Sequence, residues 1–299
     1  MKQLLYRIIY QPQINFVFRN INKLLYPILP KKVKLPPSGT IVIKNQAGKK
    51  LKIHTNQTNY LTQLIYWEGY ENFEYTKLFV ELVKKVKGFY DVGANIGYYS
   101  LLAALENPTI KVTAFEPAKG PLHYLKTNVN LNNFSQIKVE SLALSQKEGD
   151  ITFHEVKSKK YTYLKHNLAG TGSEEELNKN EAFDTNVVQA TSLDNYYSKN
   201  PGSVDLIKID TEGTEHLILE SGEKILSETN PIFICETLFL SNEAQLESIF
   251  KKHGYEFYNH YPEGLRKTDT IIRSIDNGVR NCFFVHPSKK ELIDPFLIK

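Results

Sequence analysis

The chain has 299 residues, 41% hydrophobic and 12% aromatic, enough apolar material to bury a sizeable core, which excludes a disordered or low-complexity protein. Its two cysteines, Cys235 and Cys282, lie inside apolar runs; they exclude a disulfide-built scaffold and read as small core residues of a protein kept in a reducing compartment, the cytoplasm. The net charge of +4 hides an asymmetry, because residues 1–67 hold eleven Lys and Arg and no Asp or Glu, leaving 26 basic against 33 acidic side chains in the other 232 residues. Such an arm suggests an anionic partner surface, membrane lipid or nucleic acid.

Residues 1–28 carry apolar side chains at Leu4, Leu5, Ile8 and Ile9, then at Ile14, Val17, Phe18, Ile21, Leu24, Leu25 and Ile28. The spacing is helical and is interrupted at Pro12. Polar residues such as Gln11, Gln13, Asn15 and Arg19 keep every apolar run too short to span a bilayer or to serve as a signal peptide. Two readings stay open: a helix pair docked on the body, or a segment lying on a membrane surface. Pro30 to Gly39, with three prolines and three lysines, reads as a linker. Thr40 to Lys44 and Lys50 to His54 alternate as a hairpin. An aromatic and acidic cluster from Tyr60 to Tyr75, containing Trp67, Glu68, Glu71, Phe73 and Glu74, precedes a helix over 75–87 and could cover a pocket.

The chain is organised around Phe89 to Ser100. The apolar residues before Asp91 predict a strand, Gly93 and Gly97 a tight turn brought close to a ligand, and Tyr98 to Leu105 a helix whose amide end favours a carboxylate. A second strand, Val112 to Phe115, ends in Glu116, nineteen residues past Gly97, where an acid grips a ribose diol. Asn95 and Tyr98 stand where a dinucleotide fingerprint needs glycine, so an adenosine bearing a small charged group, such as S-adenosylmethionine, fits better than a pyrophosphate. A helix over about 121–132 leads to a third strand, Ile137 to Leu142, with Ala143 and Ser145 at its end near an adenine. Residues 149–203 break the alternation; Asp150 to Val156 and Thr185 to Ala190 predict an inserted hairpin around a mobile loop containing Gly170 to Ser173. Alternation resumes with a fourth strand, Val204 to Ile209, then Asp210 to Glu215 and a helix to about Leu226. Pro231 to Cys235 form a fifth strand ending in Glu236, a helix spans Asn242 to His253, and Tyr255 to Tyr258 with Asn281 to His286 predict a closing antiparallel pair. The fold class is therefore α/β, a doubly wound, mostly parallel sheet with a final antiparallel hairpin.

The stretches F-Y-D-V-G-A-N-I-G-Y-Y-S (89–100), A-F-E-P (114–117), L-A-L-S (142–145) and I-K-I-D-T-E-G-T-E (207–215) resemble the FkbM-type methyltransferases, over roughly residues 65–260. The resemblance implies a class I, Rossmann-like, S-adenosylmethionine-dependent fold and, most often, O-methylation of a hydroxyl on a sugar or secondary metabolite. The domains expected are a basic helical arm with its hairpin over 1–60 and a methyltransferase domain over 61–299.

Asp91, Gly93, Asn95 and Gly97 are expected at the amino-acid end of the cofactor, Glu116 at the ribose, and Ala143 or Ser145 at the adenine. Asp210 and Glu212, with Glu215, His216 and Glu236, form the one dense set of acid and base groups. Glu212 or His216 is the expected proton acceptor, with Asp210 holding the cofactor or orienting the base. The alternative is a divalent cation held by Asp210, Glu212 and Glu236; Asp210 could also simply cap a helix. The acceptor expected is a glycan or related polyhydroxyl compound, lipid-linked if residues 1–60 meet a membrane. The alternative acceptor is nucleic acid, suggested by the basic arm; amino-group methylation of a base would call for an Asn- or Asp-Pro-Pro-aromatic motif where Asp210, Thr211, Glu212 and Gly213 stand. A catalytically silent membrane scaffold is opposed by the retained Gly93, Gly97, Glu116 and Asp210.

Overall fold

In the computed structural model, which describes residues 2–28, 33–168 and 182–298, an eight-stranded sheet carries the molecule. Its first five strands in space are parallel: β5 (Ile137–Glu140), β4 (Lys111–Phe115), β3 (Gly88–Val92), β9 (Leu206–Ile209) and β10 (Ile232–Glu236). Next to β10 lies β13 (Asn281–Val285), antiparallel to its neighbours, then β11 (Glu256–Tyr261) and, at the edge, β12 (Gly264–Thr268). Without that edge strand the order is 3-2-1-4-5-7-6, with the last strand in sequence inserted antiparallel between five and six. This is the class I methyltransferase topology, and β12 is an addition the sequence pattern did not predict.

Helices cover both faces because each strand alternates apolar side chains to either side. Phe89 and Leu206 face α4 (Thr76–Val83) and α5 (Tyr98–Glu106), whereas Tyr90, Val92, Ile207 and Ile209 face α8 (Glu215–Glu220), α9 (Glu223–Glu228) and α10 (Glu243–Lys252). The helix α5 buries every residue from Tyr98 to Leu105, as expected of a helix apolar all round and packed centrally. The single helix expected after Glu215 is broken at Ser221 and Gly222 into α8 and α9. Cys235 and Cys282 are buried free thiols.

The third strand ends at Glu140, earlier than its apolar run suggests. Leu142–Leu144 form β6 in a separate three-stranded sheet, parallel to β8 (Ala182–Thr191), which pairs antiparallel with β7 (Gly149–Lys157). The hairpin expected within 149–203 is thus present, followed by α7 (Leu193–Lys199); Gly170 to Ser173 of its expected mobile loop lie outside the described residues.

The amino-terminal residues form α1 (Lys2–Ile9), α2 (Pro12–Leu25), the hairpin β1 (Gly39–Lys44) and β2 (Lys50–Thr55), and α3 (Tyr60–Glu68). Leu51 and Ile53 enter the core. The buried Asn128 on α6 (Lys119–Asn132) receives the His54 amide at 2.6 Å and donates to the His54 and Ile96 carbonyls at 3.2 and 3.0 Å. One asparagine therefore satisfies backbone groups of both the hairpin and the glycine loop, which ties the two together.

Candidate active site

The carboxyl ends of β3 and β9 lie side by side, with Asp91 and Lys208 at one register position and on one face, beneath α5. Lys208, almost fully buried, places Nζ 3.1 Å from Asp210 Oδ2, 3.8 Å from Asp91 Oδ1 and 5.7 Å from the centre of the Tyr99 ring. Burial alone would lower its pKa, but Asp210, Asp91 and Glu74 overcome this and hold the ammonium above its ordinary value. Asp91 is also buried, and burial raises its carboxyl against the pull of Lys208 and Ser100. Asp91 Oδ2 accepts from Ser100 N and Oγ at 3.1 and 2.6 Å, so one amide at the positive end of α5 is taken by a carboxylate of the chain itself.

The glycine loop is likewise internally satisfied. Gly93 and Ala94 donate to the Phe115 carbonyl at 3.1 and 3.0 Å, Gly97 to the Ala94 carbonyl at 2.8 Å and Asn95 to Glu116 Oε2 at 2.7 Å. Gly93 (φ +72°) and Gly97 (φ +90°) are required sterically: a Cβ at Gly93 would stand 1.9 Å from the Asp210 carbonyl oxygen, and one at Gly97 2.5 Å from Leu125 Cδ1. The close approach is to the chain itself. Glu116 accepts from the Asn95 and Ala118 amides, and burial pushes its carboxyl up to about 7 despite these bonds. Ala143 is buried with Val188 and Ala190 in the small sheet, and Ser145 donates its amide to the Thr191 carbonyl at 3.0 Å; both therefore follow the end of β5 on a different sheet from Glu116.

After β9 the chain turns through Glu212 (φ +56°) and Gly213 (φ +104°). Glu215, buried, organises this turn by accepting from Thr211 N and Gly213 N at 2.8 and 3.2 Å, while Asn242 donates to its other oxygen at 2.6 Å. Asp210 is not a helix cap, since α8 starts at Glu215 with Thr214 before it; its side chain is 42% exposed. His216, in the first turn of α8, has a buried Nδ1 without a hydrogen-bond partner. Glu236, at the end of β10, has Oε2 buried without a partner, and burial, Asp210, Glu212 and Glu215 push its carboxyl up to about 9. At the rim, Glu74 (φ +42°) accepts from the Tyr99 hydroxyl at 3.0 Å, and its carboxyl is pushed up to about 6, first by the protein around it and then by Asp210.

The structure thus gathers Asp91, Asp210, Glu212 and Glu236 around one end of the sheet, and adds Lys208 and Glu74, which received no chemical role from the sequence. The signal for Lys208 was one ionisable residue within the apolar run I-K-I; Glu74 was visible only as part of a cluster able to cover a pocket. The divalent-cation alternative is not supported: among the described residues no three of His, Cys, Asp and Glu are placed to hold a metal ion. Lys208 instead supplies the positive charge at Asp210.

Two hollows open on the described surface. One of about 460 Å3 opens at the amino ends of the strands, among Lys87, Lys111 and Ser203, away from this chemistry. The other, of about 320 Å3, is lined by Tyr60, Phe73, Asn72, Glu68 and Glu74 and adjoins the acid cluster. Asp91 Oδ1 and Glu236 Oε2 are buried acceptors awaiting donors, a set that fits a ligand presenting positive charge, as S-adenosylmethionine does with its ammonium and sulfonium.

A doubly wound sheet in 3-2-1-4-5-7-6 order, with its acids at the carboxyl ends, defines a class I methyltransferase. The Methyltransferase FkbM domain matches residues 91–257, more than half of the chain, and the protein belongs to that family. Over 208 residues it is 29% identical to the 31-O-demethyl-FK506 methyltransferase FkbM of Streptomyces tacrolimicus, covering 62% of this chain and 74% of the relative. Among solved structures it is similar to Methyltransferase FkbM from Methylobacillus flagellatus KT, with 16% identity and a TM-score of 0.43, over 67% of this chain but only 43% of that one. It is also similar to the Precorrin-6y C5,15-methyltransferase of Geobacter metallireducens GS-15, with 10% identity and a TM-score of 0.39 over 70% of this chain and 86% of that one.

Proposed function

We propose that the protein transfers the methyl group of S-adenosylmethionine to a hydroxyl of a sugar or related polyhydroxyl small molecule. The bound cofactor supplies an electrophilic methyl, so the chain must position the acceptor oxygen and take its proton. Asp91 and Asp210 would hold the cofactor's positive end, with Glu236 as a hydrogen-bonding neighbour; Glu116 would hold its ribose, and the segment from Ala143 to Ser145 its adenine side. Lys208, 3.1 Å from Oδ2, fixes the Asp210 side chain in place. Glu74 accepts the hydroxyl proton: a carboxyl near 6 is ionised at neutral pH and is a better base than an ordinary glutamate. Glu212 and His216 would orient the acceptor.

The observation that carries this reading is the 320 Å3 hollow, which sets the aromatic rings of Tyr60 and Phe73 beside Asn72, Glu68 and Glu74. Aromatic faces take the C–H side of a sugar ring while amide and carboxylate groups take its hydroxyls. Methylation at oxygen is supported by the Streptomyces relative, a 31-O-demethyl-FK506 methyltransferase. Buried free Cys235 and Cys282 support a cytoplasmic setting.

The test is incubation with radiolabelled S-adenosylmethionine and an extract of the source cells, with Glu74→Gln as the control, followed by separation of glycan, lipid, nucleic-acid and protein fractions. Label in glycan or small polyols, strongly reduced in Glu74→Gln, is expected. Label in nucleic acid or protein would refute the acceptor class, and undiminished label with Glu74→Gln would refute the role of Glu74.

A further inference from the structure

The helix pair α1–α2 is amphipathic and docked inside out. At 100° per residue, Leu24, Val17, Ile21, Leu25 and Phe18 cover an arc of about 120° on α2, and this arc faces solvent: Leu24 is 79% exposed, and Ile28, in the turn just past the helix, 77%. The opposite, polar arc faces the body. Asn15 and Arg19 are buried at 0% and 2% exposure. Arg19 donates to the Ser38 and Thr40 carbonyls at 2.8 and 2.7 Å, Asn15 accepts the Ser38 amide at 2.8 Å, and Asn22 accepts the Leu35 amide at 3.0 Å. Leu4, Leu5 and Ile8 extend the exposed apolar surface along α1. A helix held to its protein by polar bonds while presenting leucine, isoleucine and phenylalanine outward leaves a continuous patch larger than scattered surface apolar residues account for.

We infer that this face is inserted into the interface of an anionic lipid bilayer, with α1–α2 lying in the membrane plane. Charge complementarity selects the occupant: residues 1–67 contain eleven Lys and Arg and no acid, which matches a lipid surface bearing negative headgroups. Rings that favour the headgroup level surround the pair: Tyr6 and Tyr10 pack on Tyr161, and Tyr26 packs on Trp67. Lys23 lies 4.6 Å above the Tyr66 ring and donates to the Tyr66 carbonyl. Among the described residues no helix is long and apolar enough to cross a membrane, so the contact is with one leaflet. It is independent of the reaction the site performs.

Flotation of the full chain with vesicles tests it, comparing phosphatidylcholine alone with phosphatidylcholine plus phosphatidylglycerol. The triple variant Val17→Glu, Ile21→Glu, Leu24→Glu changes only exposed side chains, so its thermal transition should match the wild type, and Val187→Glu, 66% exposed on the body, is the control. The wild type and Val187→Glu are expected to float with anionic vesicles and less with neutral ones, with binding falling at least about tenfold in the triple variant. No flotation of the wild type, equal flotation of the triple variant, or equal binding to both vesicles would overturn the inference. A concentration-dependent dimer in solution that the triple variant abolishes, without vesicle binding, would assign the face to a second copy instead.

Discussion

Replacing Lys208 with methionine should be among the most damaging single changes in the molecule at neutral pH. The side chains are similar in length, so little volume is lost, but Asp91 loses the ammonium 3.8 Å from its Oδ1 and is left as a buried charge with only Ser100 to satisfy it. Removing one partner of a buried ion pair costs about 3–5 kcal/mol. The contact with Asp210 adds little to that sum, because its carboxylate is 42% exposed and solvent screens it. Taking the lower end, about 3 kcal/mol, the thermal midpoint should fall by roughly 6 °C or more at about 2 °C per kcal/mol for a chain of this size. The double variant Lys208→Met, Asp91→Asn should recover a substantial part of the loss, since the uncompensated charge is then gone. Scanning calorimetry of the wild type, both single variants and the double variant gives the coupling directly. A fall of less than 2 °C in Lys208→Met, or strictly additive losses in the double variant, would refute the pairing.

Glu236→Gln should flatten the dependence of stability on pH. Its carboxyl is raised to about 9 in the folded protein against 4.5 unfolded, so its contribution is fully present below pH 4.5 and is lost as the pH rises toward 9; denaturant midpoints across that window would show an undiminished slope if the assignment is wrong. Glu116, raised to about 7, should bind the ribose better when ionised, so affinity for S-adenosylmethionine should increase as the pH rises through 7. A titration series should lose that dependence in Glu116→Gln, and an identical pH profile in the variant would remove Glu116 from the ribose. Gly93→Ala would put a methyl 1.9 Å from the Asp210 carbonyl at φ +72°; destabilisation of about 3 kcal/mol or more is expected in urea unfolding, and a loss under 1 kcal/mol would mean the turn relaxes freely.

The residues that recur at fixed distances were legible. The strand, turn and helix through Asp91 to Ser100, the acid Glu116 and the turn after Ile209 all lie where the pattern predicts, because each is fixed by local backbone needs and by period-two or period-3.6 apolar spacing. What was hidden depends on contacts distant in sequence. Apolar periodicity in α2 identifies a helix but not which side meets the body; Arg19 and Asn15 find backbone partners in residues 36–40, and that reverses the usual orientation. The departure of Leu142–Leu144 to a second sheet is decided by pairing with β8, nearly fifty residues on. Lys208 acquires its role only because β3 and β9, far apart in the chain, set it beside Asp91. The glycines were read as backbone no side chain would permit, and the contacts that require them, the Asp210 carbonyl and Leu125, come from elements distant in the chain.

The central claim is that S-adenosylmethionine binds in the cleft at the carboxyl ends of β3 and β9. Isothermal titration of the cofactor into the full chain and into Asp210→Asn tests it most directly, since Asp210 is exposed enough for its substitution to leave the fold intact. Saturable binding by the wild type, weakened at least about tenfold in Asp210→Asn with an unchanged thermal midpoint, is the expected result. Absence of binding to the wild type, or equal affinity in the variant, would contradict the claim.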